Sequence, residues 1–182
     1  MRQFNIVSGG EANDSSFGGM PELRALDEIV TGTGSFTVPT GHTYNVANYF
    51  EGVVTRVDMG GGSGNFNPSA SYPDPGFPAG SVSLVSVSAW VTIPSGTWTM
   101  WLASYDGRIL NMPGIEFSSV FGNTLSDGGE GKGIIGFETP TAHSNSRGTF
   151  SVADETTLNL YAMFWERGGG DNFELAVAEG LK

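Results

Sequence analysis

Two neighbouring stretches of the chain alternate apolar and polar residues with a period of two, and this pattern constrains the fold most strongly. Residues 85–91 alternate valine or alanine with serine or tryptophan, and residues 97–102 alternate Trp98, Met100 and Leu102 with two threonines and Trp101. Successive side chains of a strand point to opposite faces, so each stretch predicts a strand with one buried face. The Pro94-Ser95-Gly96 turn between them predicts a β-hairpin.

The same signals recur along the chain and predict an all-β protein. Further strands are expected at Ser35–Val38 and Tyr44–Val57, and a second hairpin at Thr156–Trp165 and Phe173–Val177. Short strands separated by turns are typical of an antiparallel β-sandwich, here a jelly-roll-like one. Only Met20–Val30 has helical spacing of apolar residues, with Pro21 in its first turn, so one short N-terminal helix is predicted.

Length and local composition predict one domain with two unusual segments. The 182 residues suit a single sandwich over 20–182. Residues 1–19 are small and polar after a short apolar patch, and they predict an extended arm. Residues 59–80 are rich in glycine and proline but carry three aromatic residues, which predicts a long loop that packs on something.

Charge and composition exclude several classes of partner. The chain has 8 Lys+Arg against 19 Asp+Glu, a net charge of −11, so binding to nucleic acid through many phosphate contacts is disfavoured. It has no cysteine, and no apolar run long enough to insert in a membrane. The first residues lack the apolar core of a secretory signal, which predicts synthesis in the cytoplasm or export by a route without that signal.

The sequence has no pattern typical of a catalytic centre, so we expect a protein that is not an enzyme and needs no cofactor. The chain has no cysteine and no G-x-S-x-G elbow that could supply a nucleophile for catalysis. Its two histidines, His42 and His143, lie in predicted turns. Gly131, Gly133 and Gly136 spell G-x-G-x-x-G. That match neither follows a predicted strand nor opens a helix, so it predicts no phosphate site.

Several aspartates at predicted strand ends could either shape turns or bind calcium. Asp106-Gly107, Asp127-Gly128 and Asp171-Asn172 are of this kind. Aspartate commonly accepts hydrogen bonds from nearby backbone amides in turns, while carboxylates in flexible loops are also calcium ligands. Both interpretations stay open, and Asp106 and Asp127 are the candidate metal ligands.

Residues 82–178 resemble a protective-antigen-type β-sandwich, the lectin-like domain found in adhesins and beside some glycosidases and toxins. The resemblance rests on the aromatic strands around Pro94-Ser95-Gly96, on Ser104-Tyr105-Asp106-Gly107, and on the closing segment ERGGGDNFEL, residues 166–175. In sugar-binding members of that family, two adjacent aspartates hold a calcium ion that grips sugar hydroxyls. Here Tyr105 takes the first position and Asp106 the second.

The resemblance implies a calcium-assisted carbohydrate-binding module with Asp106, Trp165 and Asn172 as candidate ligand-binding residues. Asp127 would lie nearby. Such a binding face needs an exposed aromatic ring for stacking, for which Trp98, Trp101 and Trp165 are the candidates. This is the alternative of two functional hypotheses.

The first hypothesis is an assembly protein on a bacteriophage virion. Residues 34–41, GSFTVPTG, resemble a strand-turn found in phage tail and head-surface proteins. Under this hypothesis the arm and the 59–80 loop contact neighbouring subunits, as in a capsid decoration, head-fibre or tail protein, and the protein is a homo-oligomer or binds other capsid proteins. The location is then the virion, or an extracellular or cell surface under the alternative.

Overall fold

A computed structural model describes residues 1–7, 19–60, 82–166 and 172–182 of the chain. One helix and twelve strands make up this part of the protein. They are β1 Arg2–Val7, α1 Gly19–Ile29, β2 Gly34–Thr37, β3 Thr43–Glu51, β4 Asp58–Gly60, β5 Ser83–Ile93, β6 Gly96–Ser104, β7 Arg108–Asn111, β8 Ser119–Phe121, β9 Ile134–Phe137, β10 Ser144–Val152, β11 Thr156–Glu166 and β12 Asn172–Glu179.

The strands form two antiparallel sheets, which confirms the predicted all-β sandwich with one short helix. The seven-stranded sheet has the order β2-β3-β1-β5-β11-β7-β9, and the five-stranded sheet has the order β4-β12-β6-β10-β8. The predicted helix, Met20–Val30, lies within one residue of α1. Within the described ranges, no helix has the length and apolar character to cross a membrane.

The two faces of the seven-stranded sheet bury two separate cores. On one face, alternate residues such as Leu84, Met163 and Trp165 pack with Leu23 and Leu26 of α1. The opposite face packs against the five-stranded sheet, where residues such as Val85, Phe164, Leu102 and Phe150 meet. The period of two in β5 and β11 thus divides each strand between a helix layer and a sheet layer.

Asp27 of α1 ties the helix to three strands. Its carboxylate accepts hydrogen bonds from Arg2 Nη2, Ser86 Oγ and Tyr161 OH, each at 2.9 Å. These donors come from β1, β5 and β11, which are adjacent or nearly adjacent in the sheet. A buried carboxylate satisfied by three donors fixes the position of the helix on the sheet.

A second helix carboxylate, Glu22, holds the turn between β2 and β3. It is buried, and it accepts hydrogen bonds from Thr40 Oγ1 and Tyr44 OH, while His42 Nδ1 lies 2.8 Å from its Oε1. Burial by itself would raise the pKa of Glu22, but the hydrogen bonds from Thr40, His42 and Tyr44 outweigh it, so the pKa is lowered.

We therefore expect Glu22 to contribute to the acid sensitivity of the fold. Because its pKa is lower in the folded chain, its contribution is complete above the ordinary value of 4.5 and is lost as the pH falls through the folded value. Glu22→Gln should lower the free energy of unfolding at pH 7 by about 1–3 kcal/mol and make it less dependent on pH below about 5. Urea unfolding at several pH values measures both effects.

Glu28→Gln removes the same charge from an exposed position of the same helix and is the control. Parallel loss of stability on acidification in wild type and Glu22→Gln would contradict the prediction.

Neither predicted hairpin is a hairpin. β5 pairs with β1 and β11, whereas β6 pairs with β10 and β12, so the Pro94-Ser95-Gly96 turn carries the chain from one sheet to the other. The connection from β11 to β12 also changes sheets. Each strand buries one face against the opposite sheet, which gives the same alternation as a hairpin would.

The first residues of the predicted arm, residues 1–19, are not an extended arm in the structure. Arg2–Val7 is a strand between β3 and β5, inside the seven-stranded sheet. Phe4 packs in the helix-side core, while Gln3 and Asn5 are buried on the other face. This strand is difficult to predict from the sequence, because its apolar pattern is short and includes polar residues that are buried. Residues 8–18, the rest of this segment, lie outside the described residues.

The predicted strand Tyr44–Val57 is shorter in the structure, where β3 ends at Glu51. Of the predicted loop 59–80, Met59 and Gly60 belong to β4, which pairs with the start of β12. Residues 61–81 lie outside the described residues.

Candidate functional site

The connection between β6 and β7 holds Asp106, the residue predicted to bind both calcium and a ligand. Asp106 is buried, and its Oδ1 accepts a hydrogen bond from the backbone amide of Thr141 at 2.9 Å. Ser104 Oγ donates to its backbone carbonyl at 2.7 Å. In this position Asp106 joins the β6–β7 connection to the segment that leads into β10.

Trp165 lies in the core and not on a surface. It is 2% exposed and packs with the helix-side residues. Its backbone amide donates to the carbonyl of Gly107 at 2.9 Å. The indole lies so close to Gly107 that a Cβ at that position would be 1.6 Å from Trp165 Nε1. The ring therefore presents no face on which a sugar could stack.

Asn172 is fully buried at the start of β12, opposite Gly60 of β4. Neither its Oδ1 nor its Nδ2 has a hydrogen-bond partner among the described residues. Two residues further, Glu174 is also buried, and it faces Asp58 across the same strand pair.

Asp127, the other predicted metal ligand, forms an exposed ion pair with Arg24 of α1, with Oδ2 and Nη1 2.8 Å apart. Asp106 and Asp127 thus have different partners on different elements. Within the described part of the chain, no three His, Cys, Asp or Glu side chains converge closely enough to hold a metal ion. Calcium binding at Asp106 or Asp127 stays a prediction.

Next to Asp106, the chain buries a charged residue that the sequence did not single out. Arg108 is 1% exposed and donates hydrogen bonds to Ser146 Oγ at 3.1 Å and Ser144 Oγ at 2.9 Å, with Ser104 Oγ at 3.4 Å. Burial lowers its pKa to about 10. The guanidinium therefore stays charged at neutral pH and cross-links the two sheets.

A groove of about 620 Å³ lies on the face of the five-stranded sheet that points away from the sandwich interior. Met100, Leu102 and Phe150 fill the interior, so the residues that alternate with them face the groove. The groove residues are Thr99, Trp101, Phe121, Asn145, Arg147, Ala176, Val177, Ala178 and Lys182.

One row of the groove runs across four strands. In this row Ala176 pairs with Trp101, Trp101 with Arg147, and Arg147 with Phe121. Trp101 is half-buried and Phe121 is 57% exposed. Because the side chains of Ala176 and Ala178 end at Cβ, β12 leaves open space beside the indole of Trp101.

Arg147 is the charged centre of the groove. Its guanidinium carbon lies 4.5 Å from the centroid of the Phe121 ring, a cation–π contact. Arg147 Nε and the neighbouring Asn145 Oδ1 are buried without a hydrogen-bond partner among the described residues. The groove thus combines two aromatic rings with the guanidinium of Arg147.

The other two predicted stacking candidates are elsewhere, and a fourth tryptophan is the most exposed. Trp98 is half-buried, packs against the sandwich core, and donates from Nε1 to the carbonyl of Pro94 at 2.9 Å. Trp90 is 75% exposed but belongs to β5 of the other sheet. Of the three candidates named from the sequence, Trp101 alone lines the groove.

The sequence analysis did not identify Arg147, Asn145 or Phe121 as site residues, and residues 140–148 have the serine- and asparagine-rich composition of a loop. The alternation of Asn145, Arg147 and Thr149 is the signal that could have revealed the strand. Its flanking serines and glycine are weak strand formers, which masked it.

Comparisons with known proteins give one partial similarity. No protein-family model and no curated protein matches the chain. Among solved structures, the PA14 domain of the MpAFP antifreeze protein is similar, with 11% identity and a TM-score of 0.41. The similarity covers 54% of this chain and 44% of that one, so this chain matches less than half of the length of the antifreeze-protein domain structure. It agrees in part with the predicted resemblance of residues 82–178 and assigns no function.

Proposed function

We propose that the protein is a non-catalytic carbohydrate-binding module whose ligand lies in the groove on the five-stranded sheet. The observation that carries the proposal is the row Trp101–Arg147–Phe121, an aromatic platform with Arg147 on the strand between its two rings. A volume of about 620 Å³ suits a ligand of one or two sugar rings.

Sugar rings need this combination of surfaces. The C–H face of a pyranose packs on an aromatic ring, while its hydroxyls need polar partners once they leave water. Trp101 supplies the larger ring, and the small side chains of Ala176 and Ala178 give access to it. Asn145 and Arg147 are the polar residues that line the groove beside it.

The groove differs from the calcium-assisted site that the sequence suggested. Among its described residues none is a carboxylate or a histidine. Oxygen anions are the principal protein ligands of calcium, and paired carboxylates are the usual machinery of glycoside hydrolysis. We therefore propose binding without calcium and without catalysis, through contacts from Trp101, Asn145 and Arg147.

The virion-surface role stays a prediction. Besides the resemblance of residues 34–41, it depended on an arm, of which Arg2–Val7 is a sheet strand, and on the 59–80 loop, most of which lies outside the described residues. A carbohydrate-binding module suits a virion surface and a cell surface equally, so the predicted locations and protein partners stay open.

The test of this proposal is a glycan array probed with the wild-type chain and with Trp101→Ala. We expect the wild type to bind at least one saccharide class, equally in EDTA and in calcium. Loss of an aromatic stacking platform should weaken binding by roughly 2 kcal/mol, about thirtyfold. Titration calorimetry with the best array ligand measures the change.

Two further variants make the result specific to the groove. Trp90→Ala removes an exposed tryptophan from the other sheet and should bind as the wild type does. Ala176→Leu fills the space beside Trp101 without removing any polar group and should abolish binding. A blank array for the wild type, or equal losses in Trp90→Ala and Trp101→Ala, would overturn the proposal.

A further inference from the structure

We infer that the saccharide in this groove carries an acidic group, a carboxylate or a sulfate, that binds Arg147. This inference rests on the proposed carbohydrate-binding function and names the ligand class of the same groove. It follows from the position of two positive charges in a chain that has only 8 Lys+Arg and a net charge of −11.

Arg147 is held in a geometry that suits an anion. Its guanidinium lies over the Phe121 ring, 4.5 Å from the centroid. Stacking uses the flat face of a guanidinium and leaves the N–H donors at its edge. Among the described residues no carboxylate forms an ion pair with Arg147, and its side-chain Nε has no hydrogen-bond partner. Planar edge donors match a carboxylate or sulfate in a two-point contact.

Most other described arginines already have partners. Arg2 pairs with Asp27 and Arg24 with Asp127, both within 2.9 Å, and Arg56 lies 3.9 Å from Asp58. Arg108 is buried among serine hydroxyls. Arg147 is different, because its charge faces a groove open to a ligand.

A second cation lies at the same groove. Just after β12 the chain still runs beside β6, where Gly180 accepts a hydrogen bond from Thr99 Oγ1 at 2.7 Å and donates one to the Thr97 carbonyl at 2.8 Å. These bonds place exposed Lys182 along the groove wall. A positive groove on an acidic protein selects an anion by local contact, because charges farther away than about 8 Å are largely screened at physiological salt.

The neutral part of the ligand would use the remaining contacts. Trp101 packs against the sugar ring, and the side chain of Asn145, which also lines the groove, lies beside it. Arg147 then binds the acidic substituent of the sugar. The three residues lie on two adjacent strands, since Trp101 of β6 pairs with Arg147 of β10.

The experiment compares each acidic ligand with a neutral counterpart that has the same saccharide backbone. Oligogalacturonate is set against its methyl ester, and a sulfated galactan oligosaccharide against its desulfated form, in titration calorimetry at physiological salt. We expect each acid to bind at least tenfold more tightly than its neutral counterpart. A larger difference in affinity within the oligogalacturonate pair indicates a carboxylate site, and a larger difference within the galactan pair indicates a sulfate site.

Variants separate this inference from the proposed function. Arg147→Gln should lose the tenfold preference, so that the acid and its neutral counterpart bind equally, whereas Trp101→Ala should lose both ligands. Arg24→Gln removes a positive charge from α1, which is distant in sequence from the groove residues. It should leave the preference for the acidic ligand unchanged. Thermal unfolding of each variant confirms that it is folded.

If the acid and neutral forms bind equally and Trp101→Ala loses both, the inference of an acidic ligand is overturned. The proposal of a carbohydrate-binding groove is then still supported. A preference that survives in Arg147→Gln would also overturn the inference. Binding to none of the four oligosaccharides, together with a blank glycan array, would overturn both.

Discussion

A chain that lacks residues 1–7 should fail to fold. Deletion removes β1 from between β3 and β5, so β2 and β3 lose their attachment and β5 gains an unpaired edge. It also removes Phe4 and Ile6 from the helix-side core and Arg2 from Asp27. Truncating one buried large side chain costs about 2–5 kcal/mol. Two such losses, together with the lost strand pairing and the lost Asp27 contact, are comparable with the roughly 5–15 kcal/mol by which a domain is usually stable.

Circular dichroism during heating is the measurement, and the truncated chain should show no cooperative transition. Deletion of exposed Leu181 and Lys182 at the other terminus is the matched control and should keep the wild-type midpoint. Addition of a synthetic peptide of residues 1–7 should restore a transition, because it can pair with both neighbours. A cooperative transition near the wild-type temperature in the truncated chain would contradict the prediction.

Gly107→Ala should destabilise the protein by at least about 3 kcal/mol, the upper part of the range for overpacking a core. The added Cβ would lie 1.6 Å from Nε1 of Trp165 and 2.5 Å from its Cδ1. The indole cannot rotate away freely, because it is buried against the helix and its backbone is hydrogen-bonded to Gly107. Urea unfolding measures the loss, and Gly32→Ala, which meets nothing within 4 Å, should change stability by far less.

A double-mutant cycle tests the cause of the Gly107 effect. Trp165→Phe removes the pyrrole ring that the new methyl group would strike, so Gly107→Ala should cost clearly less in the Trp165→Phe background. Equal costs in both backgrounds, or a single variant as stable as the wild type, would show that this contact does not constrain position 107.

The fold class could be predicted from the sequence because alternation reports which residues of a strand are buried. Val85 and Val87 indeed face the sandwich interior, as their spacing indicates. Alternation does not report the partner strand. Pro94-Ser95-Gly96 looks the same whether it closes a hairpin or crosses between sheets, and the choice depends on contacts between β5 and β11, about 70 residues apart.

The candidate site was less predictable for the same reason. Trp101 was recognised as a stacking candidate from its residue type, and the structure places it in the groove. Trp165 was chosen from a family resemblance, and it lies in the core. Arg147 acquires its significance from Trp101 and Phe121 on either side, and only the pairing of β10 with β6 and β8 brings these three together.

The crossings between sheets also bear on how the chain reaches this structure. β5 lies between β1, at the start of the chain, and β11, which ends at Glu166. The central pairing of the larger sheet therefore cannot be completed until most of the chain has been synthesised. Proteins dominated by such distant pairings fold slowly, in milliseconds to seconds. During that interval the β5 edge is exposed, so a newly made chain of this protein should depend on chaperones more than its small size suggests.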